Sequence, residues 1–188
     1  MTPNLPPVQE AVQETPRDRL ARLAAHVGER RAAELCAEVL AAHDPHDNPE
    51  MVLFLGGAAG RSILEGGGWG PDYWTRVWGA RGLLYVWDEA VSPVVLDGLG
   101  DGAWRVAEMC LKVSALRGLP AADDAVLLAG HDLPRVRAAA IRVLGACGDT
   151  EHVEVAVAGL DDPELEVRKA AARSVDALQR RLDLPPLR

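Results

Sequence analysis

Trp74, Trp78, Arg81 and Tyr85 are the residues of this chain whose types and spacing best suit recognition. Intervals of four, three and four place them on one face of a helix begun at Pro71. Trp, Tyr and Arg are the side chains enriched where binding energy concentrates, so this face reads as a platform for a partner. Packing competes with that reading. Six of the eight aromatics fall between Trp69 and Trp87, and large rings also fill a core or an irregular junction. Packing is the plainer of the two, and Tyr73, Val77, Leu84 and Trp87, on another face, read as core. The adjoining "EGGGWGP" (65–71) predicts a mobile loop.

A second group, Arg105, Arg135, Arg142 and Arg173, could hold carboxylates or phosphates through paired N–H bonds. Sets that would do covalent chemistry are harder to assemble. "HDPHDNPE" (43–50) brings His43, Asp44, His46 and Asp47 within reach of one ion, but its Asp-Pro and Asn-Pro turn signals explain it as a polar loop. "GGAAGRS" (56–62) has the glycines of a phosphate loop without its Lys or a preceding strand. No G-x-S-x-G occurs, and no Cys/His pair stands out as a nucleophile. No catalytic residue, metal or cofactor is expected.

The elements that carry these residues repeat. Matching Val136 to Val167 sets "HDLPRVRAAAIRVLGAC" (131–147) on "DDPELEVRKAAARSVDAL" (161–178), and carries Arg137 onto Arg168. Similar steps back reach Val106 in "LGDGAWRVAEMCLKVSAL" and Val77 in "GPDYWTRVWGARGLLYVW". A period near thirty residues means a repeat array. In each unit Asp with Pro or Gly stops one helix and caps the next. The helix that follows has apolar positions at three- and four-residue spacing, as Val167, Ala170, Ala171, Val175 and Leu178 show. Shorter helices precede it, in "SPVVLDGL", "DDAVLLAG" and "EHVEVAVAGL". Each unit is thus a helical hairpin whose apolar face needs its neighbour.

The pattern D-x-x-x-x-V-R-x-A-A of 162–171, with a looser copy at 131–140, resembles HEAT repeats, especially the short bacterial type named after phycobilisome lyases. The likeness runs from Leu99 to Leu182, more loosely from Gly70, and fades before it. It implies an all-α, right-handed solenoid of hairpins following a less regular helical part. It also implies that second helices line an inner surface, where Arg105, Arg135, Arg142 and Arg173 would form a basic groove. Acidic residues such as Asp123, Asp124, Glu151 and Glu154 would lie on the first helices. Arg137 and Arg168 are expected to pair with inter-helix Asp residues of adjacent units. Ala107 and Trp78 occupy the equivalent positions earlier in the chain, which breaks an Arg ladder.

The expected organisation is a poorly ordered tail at 1–15, an irregular helical part at 16–69, the array at 70–182 and a short tail at 183–188. The N-terminus lacks a basic start and an apolar run, so no secretory signal is expected. "MVLFL" is far too short to span a membrane. Three widely spaced cysteines without C-x-x-C suit a reducing, cytoplasmic setting. A net charge of -8 disfavours general polyanion binding. The function expected is a non-catalytic scaffold or adaptor that binds another protein. Its competitors are nucleic-acid or nucleotide binding through the second helices, as in HEAT-like DNA glycosylases, and a chromophore or metabolite lyase-chaperone acting near Trp74 and Trp78.

Overall fold

The computed structural model describes residues 5–6, 14–67 and 70–185. All regular structure among them is helical, and no helix is long and apolar enough to cross a membrane. Most of the expected N-terminal tail, Trp69 with Gly68, and residues 186–188 lie outside the described residues. The chain divides into two compact units, Met1–Gly98 and Leu99–Arg188.

The first unit holds α1 (Pro16–Val27), α2 (Glu29–Ala41), α3 (Pro49–Gly56), α4 (Ala58–Leu64), α5 (Tyr73–Gly82) and α6 (Ser92–Asp97). Thr15 starts α1 by accepting the Asp18 N–H at 3.2 Å, with Pro16 in the first turn. Gly28, at φ 87°, ends α1 and begins α2, a backbone conformation that costs glycine little. Helix α5 packs on α2 because the crossing is lined with glycine. A Cβ on Gly79 would stand 2.7 Å from both the Cys36 carbonyl and the Leu40 nitrogen. Residues 70–98 were expected to open the repeat array. They pack within the first unit, α5 on α2 and α3, and α6 on α2.

The second unit holds α7 (Trp104–Arg117), α8 (Ala122–Leu128), α9 (Pro134–Cys147), α10 (Val153–Ala158) and α11 (Leu165–Leu182). Helices α8 and α9 pair, as do α10 and α11, while α9 packs on both α7 and α11. Small residues permit the close approach of α9 and α11: Gly145 lies against Ser174, and Ala138, Ile141, Val167, Ala170 and Ala171 form one buried cluster. A second cluster of Val153, Ala156, Val175 and Leu178 joins α10 to α11.

One device starts each long helix of this unit. Asp101 accepts the Ala103 N–H at 2.8 Å, His131 accepts that of Leu133 at 2.9 Å, and Asp162 accepts that of Glu164 at 2.9 Å. The three acceptors stand 30 and 31 residues apart, the spacing that aligns the hairpins. The side chain folds back on its own turn and satisfies an orphan donor ahead of the helix.

Candidate functional site

The exposed face of the second helices is built around a carboxylate. Glu108 on α7 is only 5% exposed. It accepts the Lys112 Nζ at 2.8 Å, one turn along the helix, and the Arg135 Nε of α9 at 3.1 Å. A carboxylate taken from water is stable only with such partners. The Arg135 guanidinium also lies 5.1 Å from the centre of the Trp104 ring, and that of Arg105 lies 4.1 Å from it, both within cation–π range. Glu108, Lys112, Arg135, Arg142 and Glu166 line one cleft of about 360 Å³.

The expected basic groove is thus only partly present. Arg135 and Arg142 line the cleft and Arg105 joins Arg135 over Trp104, but the surface carries both signs of charge. Arg173, exposed on α11, is absent from the cleft and stands seven residues beyond Glu166, on the same helical stripe. Trp104, Glu108 and Glu166 were not singled out in the sequence. The Glu108/Lys112 spacing is the signal that could have found one of them.

Beside this face runs a ladder of half-buried arginine contacts. Arg137 grips Asp162 with Nε and Nη2, at 2.8 and 2.9 Å, while its Nη1 donates to the carbonyls of His131 and Asp132. Arg168, 31 residues on, donates to the carbonyls of Asp162 and Pro163, the equivalent pair. Only Arg137 therefore forms the expected inter-unit ion pair, whereas Arg168 holds its own turn. The Arg137 guanidinium holds Asp162 below the usual carboxylate range, and Asp162 raises Arg137 in turn. The earlier unit lacks both partners: Ala107 replaces the arginine, and His131 stands where Asp162 would accept it.

The family model for HEAT repeats matches residues 125–188. Over these residues the chain carries the HEAT repeat pattern. No curated protein matches it. The HEAT match begins within α8 and takes in both hairpins that share the Arg137–Asp162 ladder.

The aromatic set lies in the other unit, outside the HEAT match, and its four members do not make one open face. Trp78 is 5% exposed and packs on Gly56, where a Cβ would collide with its ring; it is core, and its place on a partner surface is corrected. Trp74 is half-buried, against Tyr73 with ring centres 5.8 Å apart. Helix α5 ends at Gly82, so Tyr85 lies in the turn beyond it, 36% exposed with the Arg17 guanidinium 5.9 Å from its ring. Burial pushes Arg81 below its ordinary value; nearby Tyr85 opposes this and the charge of Arg19 adds to it. Of the set expected as core, Val77 is buried, while Tyr73, Leu84 and Trp87 are half-buried.

The remaining sequence candidates resolve into structure. "GGAAGRS" falls across the end of α3 and most of α4, and Gly60 closes the contact between them against the Val52 carbonyl. Asp44 accepts the His46 backbone N–H at 2.8 Å and contacts its ring at 2.9 Å, as a loop would. No group of three His, Cys, Asp or Glu among the described residues could hold a metal ion. Burial pushes the thiols of Cys36 and Cys110 up to about 12, which keeps them protonated and unreactive at neutral pH.

Proposed function

We propose that the chain is a non-catalytic scaffold or adaptor that binds another protein along the face of α7, α9 and α11. The observation that carries this reading is the composition of the cleft. Lys112, Arg135 and Arg142 share it with Glu108 and Glu166, so its complement must offer both signs of charge. A protein surface does so. A nucleic acid presents a uniformly anionic backbone, and two carboxylates in the groove oppose it. Trp104 and the arginines above it supply the side-chain types that dominate protein contacts. Arg173 extends the stripe, and Trp74, Arg81 and Tyr85 form a separate, smaller proposed contact on the first unit. In this reading the hairpins belong to the short phycobilisome-lyase type, coil right-handedly and work in the cytoplasm.

Arg142 and Glu166 are exposed, which makes them the residues to reverse. Affinity capture from the native host should recover a protein with the wild type and lose it with Arg142→Glu and Glu166→Arg, at unchanged thermal stability. Equal recovery by all three, or salt-sensitive recovery of nucleic acid instead, would sink the proposal.

A further inference from the structure

The first and second helices of the HEAT hairpins differ sharply in charge. Every Lys or Arg from residue 99 to residue 164 lies on α7 or α9. The segments 118–134 and 143–164 contain none, yet they present Asp123, Asp124, Glu151 and Glu154, all exposed. Helices α8 and α10 have only seven and six residues, and a cleft of about 480 Å³ opens beside them. Val126, Ile141, Val155 and Ala158 form its apolar wall, with Glu154 among them and Asp162, held by Arg137, at its edge. Leu127, 78% exposed, adjoins Val126 on α8. Glu154 has no basic side chain engaging it among the described residues.

We propose that this cleft is a second binding surface, for a cationic apolar peptide segment of a partner protein. A Leu- or Ile-sized side chain would seat between Val126, Ile141 and Val155, and a flanking Lys or Arg side chain would meet Glu154. The apolar contact supplies affinity, while Glu154, the acid of the rim with no basic partner among the described residues, selects positive flanks and speeds their approach. The charge also chooses among occupants. A second copy docked by twofold symmetry would bring the same acids face to face, and an anionic lipid surface would be repelled.

The surface is tested by fluorescence anisotropy of a labelled Lys/Leu peptide added to the full chain, with a Glu/Leu peptide of the same pattern as control. The Lys/Leu peptide should bind. Glu154→Lys, and Ala158→Trp at the exposed mouth of the cleft, should each weaken it at least about tenfold, the scale of a lost charge or anchor contact. Arg142→Glu, on the second-helix face, should leave it unchanged, which separates this site from the one proposed above. Should Ala158→Trp fail to fold, Glu154→Lys alone decides. Equal binding of the Glu/Leu peptide, indifference to Glu154→Lys, or loss in Arg142→Glu would overturn the proposal. So would concentration-dependent self-association in sedimentation that Leu127→Lys abolishes, since the cleft would then join two copies of the chain.

Discussion

Asp162 serves three groups at once: it caps Glu164, takes two bonds from Arg137, and lends its carbonyl to Arg168. The side chains of Arg137 and Asp162 are 15% and 12% exposed, so little water is available to replace a lost partner. A double-mutant cycle between Arg137→Ala and Asp162→Ala should give a coupling of about 2 kcal/mol, the upper range for charged hydrogen bonds. Acid should remove the same contribution. The folded value of Asp162 is depressed, so its stabilisation is complete above the unfolded carboxyl value of about 3.9 and vanishes as pH falls through the folded one. Unfolding midpoints of the wild type and Asp162→Asn should converge as pH falls below that point. A constant gap would show that the pair does not titrate with folding.

Helix packing depends on where side chains are missing. Replacing a helical glycine by alanine ordinarily stabilises by about 1 kcal/mol. At Gly145 a Cβ would lie 2.7 Å from Ser174 Oγ and 2.8 Å from its Cα, and such overpacking costs about 1–3 kcal/mol. Gly145→Ala should therefore lower the melting temperature, and adding Ser174→Gly should restore it only in part, because the backbone contact persists. A raised melting temperature would mean that α9 and α11 separate easily. Elements like these were legible in the sequence, since Asp or His ahead of a Val/Ala stripe marks every hairpin of the second unit. Two things escaped. A helical wheel sorts Trp78 from Val77 but cannot say which face a neighbour covers, and α2, α3 and Gly56 cover both. The second-helix face was read from its basic residues alone, so Glu108, set by Lys112 and by Arg135 from the next hairpin, went unseen.

At the scale of the molecule, the thiols report on each unit separately. Cys36 is buried in the first, Cys110 in the second, and Cys147, near the end of α9, is partly exposed and donates to the Val143 carbonyl at 3.3 Å. A thiol reagent should modify Cys147 alone in the native protein, with Cys36 and Cys110 following only as their own units open. Mass spectrometry of labelled peptides along a denaturant series would show this, and early labelling of Cys36 or Cys110 would contradict the burial described. The matched absence of Arg at 107 and Asp at 131 bears on how such an array could be rearranged. Arg137 finds its acid only in the hairpin that follows it, and the hairpin before it neither offers an Arg nor needs an acid. A tandem duplication of residues 131–161 would set one Arg137 opposite a second His131 and strand a guanidinium at the new joint. The hairpins look alike in outline yet are spelled in one order, and shuffling them would garble it.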